Sequence, residues 1–135
     1  MRLCEQGLSG LPASIRRPSY DRSEVTASIV HLGLGAFHRA HQALMTEAVL
    51  NSGDLAWGIV GAGMQSSGMR DALAPQDCLY AVAEFGADFE RISVVGALVD
   101  VLGGAEDAEK IRLLAKMSDA STRIEIGRAS CRERV

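Results

Sequence analysis

The chain has 135 residues, 47% of them apolar and 23% charged, a balance that suits one packed domain and argues against intrinsic disorder. A net charge of −3 disfavours a nucleic-acid-binding surface. Three cysteines, an odd number, make no disulfide framework and fit a reduced, cytoplasmic setting.

The opening Met1-Arg2-Leu3-Cys4-Glu5 does not read as a secretory signal, and no apolar run nears the roughly 18–20 residues a membrane helix needs. Residues 1–27 form a polar lead-in broken by Gly7, Gly10, Pro12 and Pro18, with no period, and read as a loop-rich arm. Ser28-Ile29-Val30-His31-Leu32, stopped by Gly33, predicts a short buried parallel strand. A helix is expected over about 39–51, where Ala40, Ala43, Leu44, Val49 and Leu50 follow helical spacing and Asn51-Ser52-Gly53 ends it. Trp57-Gly58-Ile59-Val60-Gly61 predicts a second strand, 63–68 a glycine-bracketed loop, and 69–74 a helical turn before Pro75. Residues 79–85 and 91–102 read as two strands of an antiparallel hairpin about Gly86-Ala87-Asp88. Over 106–117 the apolar spacing is helical, with acids first and bases last, as the helix dipole favours.

A further buried parallel strand should follow from Thr122, but only Ile124 fits it. Residues 125–135, Glu-Ile-Gly-Arg-Ala-Ser-Cys-Arg-Glu-Arg-Val, are charged and rich in arginine. Such runs are usually solvated surface. In one reading frame, however, all of them back-translate to a common short-read sequencing adapter. The expectation is therefore a sequencing-adapter artefact, disordered, at 125–135, with the native sequence cut short at about residue 124.

The chemistry concentrates in His31-Leu32-Gly33-Leu34-Gly35-Ala36-Phe37-His38-Arg39, where a strand runs through Gly-x-Gly straight into a helix. Gly33 permits the tight turn, Gly35 lets backbone approach a pyrophosphate, and the helix's first N–H groups face the anion. The expected fold is α/β: a truncated Rossmann-type NAD(P)-binding domain over 28–124, with a mostly parallel sheet and a β-hairpin insertion. Two departures stand out. His38 replaces the third glycine, and the second strand ends in Gly61-Ala62-Gly63-Met64-Gln65-Ser66-Ser67, without the carboxylate that binds a ribose 2′-hydroxyl. Asp54 lies at the wrong end of that strand, so NAD and NADP both remain open.

The run from Ile29 through Gly33-Leu34-Gly35-Ala36-Phe37-His38-Arg39-Ala40-His41-Gln42 resembles the N-terminal signature of the mannitol dehydrogenase family of polyol-specific long-chain dehydrogenases. Likeness continues in Trp57-Gly58-Ile59-Val60-Gly61, Arg70-Asp71-Ala72-Leu73-Ala74-Pro75-Gln76-Asp77, Leu79-Tyr80, Val94-Val95-Gly96-Ala97 and Arg123-Ile124. The resemblance implies a nicotinamide cofactor and interconversion of a polyol or aldonate with its keto form, as in mannitol 2-dehydrogenase or fructuronate reductase. It implies that Gly33, Leu34, Gly35, Ala36, Phe37, His38 and Arg39 bind the cofactor. The catalytic lysine, asparagine and histidine of that family belong to a second domain, so no catalytic residue is assigned here and this portion alone should be inactive. A stand-alone NAD-binding or interaction module is the alternative.

The remaining candidates have plainer readings. His31, His38 and His41 lack the cysteines or paired carboxylates of a metal site, so none is expected. Cys78 reads as a small half-buried residue, Met64, Met69 and Met117 as packing, and Glu106, Asp107 and Glu109 as a solvated helix start. No membrane or nucleic-acid partner is expected.

Overall fold

The computed structural model describes residues 2–127. Strand β1 (Ala27–Leu32) is buried along Ser28 to His31, as an apolar β-branched run covered on both faces should be. The chain then turns through Gly33-Leu34-Gly35 into a helix that begins at Ala36, widens into a π turn at His38–Gln42 and continues as α1 (Ala43–Asn51). Next come β2 (Gly58–Gly63), α2 (Gly68–Leu73), β3 (Tyr80–Phe85), β4 (Glu90–Val95), β5 (Leu98–Gly103), α3 (Asp107–Met117) and β6 (Ile124–Gly127).

Four strands form one parallel sheet in the order β5-β2-β1-β6, and β3 and β4 pair antiparallel beside it. Counting only the strands of the parallel sheet, the order is 3-2-1-4, the arrangement around the centre of a doubly wound Rossmann sheet. The expected α/β class, mostly parallel sheet and hairpin insertion are all present. The core lies along this sheet, where Val30, Leu50, Ile59, Leu79, Val95 and Leu98 are fully buried. Among the described residues no helix is long and apolar enough to cross a membrane.

Three expectations need adjustment. The segment 91–102 is two strands rather than one, because the chain pivots at Gly96-Ala97 from the hairpin into the parallel sheet. A Cβ at Gly96 would come within 2.8 Å of Pro18 Cγ and 3.1 Å of the Arg22 side chain, so the pivot sits hard against the N-terminal segment. That segment is also more than a loose arm. Arg17 donates to the carbonyls of Leu8, Leu11 and Pro12, and Arg16 adds a backbone bridge to Ser93 of β4. Arg22 donates to Gly96 O at 3.1 Å, Leu98 O at 3.0 Å and Asp77 O at 2.9 Å. Finally, Glu125 to Gly127 continue β6 in parallel register with Val30 to Leu32, where the sequence led us to expect disorder. The rest of the run, 128–135, lies outside the described residues.

Glu47 of α1 joins these parts in the interior. Its Oε2 accepts from the Tyr20 hydroxyl at 2.8 Å and from the Gly96 amide at 2.9 Å. Burial pushes its carboxyl above the ordinary glutamate range, against the pull of those hydrogen bonds.

Candidate functional site

In an open parallel sheet, a crevice forms outside the strand ends where neighbouring connections leave in opposite directions. Here β2 and β5 lie to one side of β1 and β6 to the other, which places that point between the C-terminal ends of β1 and β6. A crevice of about 590 Å³ opens there. The end of β1 and its loop supply His31, Leu32, Gly33 and Gly35. The helix start supplies Ala36, Phe37, His38 and Gln42, and β6 supplies Ile126 and Gly127.

The loop is held by local chemistry. Gly33 has φ +95°, a conformation L side chains rarely adopt, and its N–H donates to Ala62 O at 2.7 Å, pinning the turn to β2. Leu34 turns inward, 6% exposed, and covers Gly61 of β2. Arg39 folds back so that its Nε donates to Leu34 O at 3.1 Å, while the Tyr80 hydroxyl donates to the Arg39 carbonyl at 2.8 Å. A Cβ placed on Gly33 or Gly35 would meet no atom within 4 Å, so both glycines face open space. The helix start borders the same space, and the N–H groups of its first turn lack intrahelical partners. A backbone cradle of this kind fits the pyrophosphate of a dinucleotide.

Of the seven sequence-predicted cofactor residues, Gly33, Gly35, Ala36, Phe37 and His38 are brought together along the crevice. Leu34 and Arg39 are not; they brace the loop from behind. Ile126 and Gly127 of β6 line the crevice as well, and the local pattern of 125–127 does not announce them. Phe37 is 76% exposed and leans on His41, their ring centroids 5.0 Å apart. His38 is the reverse, 3% exposed and stacked on His31 with centroids 3.7 Å apart. Burial, reinforced by the adjacent His31, pulls the His38 pKa down to about 4, so the ring is neutral at pH 7.

Beyond β2, Gln65, Ser66 and Ser67 offer no carboxylate, as the sequence indicated. The acids come from α3 and its approach instead. Arg70 Nη1 donates to Gly103 O at 2.7 Å and to Glu106 Oε2 at 3.2 Å, and Glu109 Oε2 lies 3.6 Å away. Glu109 also accepts from the Gly103 amide at 3.1 Å, which holds its carboxyl below the usual range. The helix start read as solvated is thus partly built into the end of the sheet. Asp54 is far from it, accepting from Trp57 Nε1 at the opposite end of β2.

Comparison with known proteins agrees with this geometry. The chain is 42% identical to a mannitol 2-dehydrogenase of Pyricularia oryzae over 82% of its own length and 22% of that protein's. It is 43% identical to the D-mannonate oxidoreductase of Escherichia coli over 70% of its length and 20% of that protein's. The solved structure of Pseudomonas fluorescens mannitol 2-dehydrogenase, in ternary complex with NAD and D-mannitol, superposes with a TM-score of 0.86 at 35% identity. That match covers 95% of this chain and 26% of the other. The chain therefore spans about a fifth to a quarter of the length of these relatives. The family described as the mannitol dehydrogenase Rossmann domain matches residues 27–131, and the chain belongs to the mannitol dehydrogenase family.

Proposed function

We propose that this chain is the nicotinamide-dinucleotide-binding portion of an oxidoreductase that interconverts a polyol or aldonate with its keto form. The observation that carries this reading is the crevice between β1 and β6, floored by two open glycines and bordered by a helix start. When bound, the nicotinamide supplies or accepts the hydride. The chain's own part is to hold the dinucleotide: Gly33, Gly35, Ala36, Phe37 and His38 line its seat, while Leu34 and Arg39 keep the loop in shape. NAD is the preferred cofactor in this reading. The Pseudomonas fluorescens mannitol 2-dehydrogenase that this chain resembles was solved with NAD, which supports that choice.

Hydride transfer also requires groups that fix the substrate carbon against the cofactor, and none is assigned in this chain. Titration with NADH, followed by its fluorescence, should saturate, with NADPH weaker. Gly35→Val, which fills the open space with a branched side chain, should abolish the signal without unfolding the domain. Mannitol and NAD added together should yield no NADH. Absence of saturable binding at millimolar NADH overturns the cofactor reading, and steady NADH production overturns the division of labour.

A further inference from the structure

Between Ala36 and Val49 the first helix carries only two charged side chains, and neither is turned fully to solvent. Glu47 lies in the interior, bonded to Tyr20 and Gly96, and half-buried Arg39 folds back onto the Leu34 carbonyl. The exposed positions are Ala36, Phe37, His41, Met45, Ala48 and Val49. Phe37 is 76% exposed, Met45 74% and Val49 41%. Phe37 leans on His41, and Met45 and Val49 follow at four-residue steps, so the apolar surface runs along the helix. A surface helix ordinarily turns its charges outward, and one that is apolar all round is a buried helix.

Other exposed apolar side chains keep charged company. On α3, Ile111 and Leu114 sit among Lys110 and Arg112, which pair with Asp107 at 3.6 Å and with Asp100 at 3.5 Å. At the hairpin tip the Arg91 guanidinium lies 5.4 Å from the centre of the Phe89 ring. The outer face of the first helix has no such charges, and an exposed apolar patch of this kind marks an interaction surface.

Its position and the length of the relatives identify the occupant. Phe37, at the head of this face, also lines the cofactor crevice. Hydride transfer needs groups at that crevice to fix the substrate carbon, and none is assigned in this chain. The regions matched in the longer relatives make up only 20% to 26% of them, so about three-quarters or more of each lies outside. Close apolar packing beside the crevice would hold such a body as rigidly as the reaction geometry demands.

We propose that the outer face formed by Phe37, His41, Met45 and Val49 is the docking face for the substrate-holding portion of the longer oxidoreductase, which thereby closes one side of the crevice. This rests on the reading of the chain as the dinucleotide-holding part of such an enzyme. It accounts for the uncharged outer face, which cofactor binding alone does not require.

The test is footprinting with hydrogen peroxide, read as methionine sulfoxide by peptide mapping. Met45 is the probe, and Met64, 56% exposed beyond β2, is the internal reference. In the full chain alone both should oxidise readily. Residues 1–127 are then placed in the Pseudomonas fluorescens mannitol 2-dehydrogenase instead of its matched region. In that fusion Met45 should slow about tenfold or more relative to Met64. A second measurement decides the matter if the fusion does not fold. Met45→Lys and Val49→Lys should each shift the Tm of the full chain by at most about 3 °C, as exposed substitutions do. Lysine at the superposing positions of the whole Pseudomonas enzyme should lower its Tm by more than about 5 °C, or prevent folding, because it buries an unpaired charge. Undiminished oxidation of Met45 in a folded fusion, or a smaller fall in the Pseudomonas enzyme, overturns the docking face. So does a full chain that sediments as a dimer until Met45→Lys makes it a monomer, because a second copy is then the occupant. NADH titration of the same samples separates the two readings. Saturable binding with a reactive Met45 overturns the docking face alone, and lost binding with a protected Met45 overturns the cofactor reading alone.

Discussion

The contact of Leu34 with Gly61 ties the shape of the glycine loop to the centre of the sheet, and one added methyl should expose it. A Cβ at Gly61 would fall 2.9 Å from both Leu34 Cγ and Leu34 Cδ1, and closer still to Cδ2. Leu34 is 6% exposed, and its backbone is tethered through Gly33 to Ala62 on one side and through Arg39 on the other. The side chain therefore has little freedom to retreat without moving the loop. Overpacking of this kind costs about 1–3 kcal/mol. For a domain of this size that corresponds to a fall in Tm of about 5–15 °C. Gly61→Ala should show that fall in thermal denaturation and also weaken dinucleotide binding, because the displaced loop is the cradle. Leu34→Ala alone should destabilise by about 2–5 kcal/mol through the cavity it leaves. In the double variant the new methyl occupies part of that cavity, so the two losses should fall short of their sum by about 1–2 kcal/mol. Additivity within about 0.5 kcal/mol, or a Gly61→Ala melt unchanged from the parent, would refute the argument.

Other expectations follow from the same contacts. Arg22→Ala strips donors from three backbone carbonyls around a side chain that is only 8% exposed, and should cost about 2–4 kcal/mol in urea unfolding. Arg22→Lys should rescue little, since one ammonium cannot reproduce the planar fork. Stability should fall with acidification between pH 6.5 and 4, because unfolded His38 binds its proton near 6.5 and the native ring only near 4. The loss reaches at most about 3 kcal/mol below pH 4, and His38→Gln should flatten that limb of the urea-midpoint profile. Glu47 acts in the opposite sense: its native pKa is raised, so stability present at acid pH is lost as pH rises through the native value. Glu47→Gln should remove that slope while keeping acceptors for Tyr20 and Gly96. Cys78 is 6% exposed and burial pushes its thiol up, so iodoacetamide should label half-buried Cys4 before Cys78 in the native protein, as peptide mapping by mass spectrometry would show.

The parts of this fold that were legible in the sequence are those written in local pattern. The apolar run before Gly33, the second strand through Ile59 and Val60, and the acidic-to-basic gradient of α3 each predict their element without reference to distant residues. The split of 91–102 was not legible, because both halves are apolar and the pivot at Gly96 is imposed by Pro18, Arg22 and Glu47, which are distant in sequence. The N-terminal segment was missed for a related reason: arginine side chains bonded to carbonyls hold it, and these bonds leave no hydrophobic period. In the candidate site, the glycines and His38 were readable from the strand-to-helix spacing. The inward turn of Leu34 and the β6 wall depend on which strands become neighbours, a matter of topology rather than of any one segment.

The clasp formed by Arg22 also constrains the order in which the molecule can assemble. Its carbonyl acceptors lie at positions 77, 96 and 98, and it also donates to the Glu5 carboxylate at 3.4 Å. β1 likewise finds β6 only after nearly the whole described chain exists. Contacts this remote in sequence require large loops to close before they contribute, which slows folding. During synthesis, Arg22 must therefore wait for about 76 later residues before its last acceptor exists, an interval of several seconds at typical rates. The clasp of Arg22, although that residue is made before all three of its carbonyl partners, is among the last contacts to form.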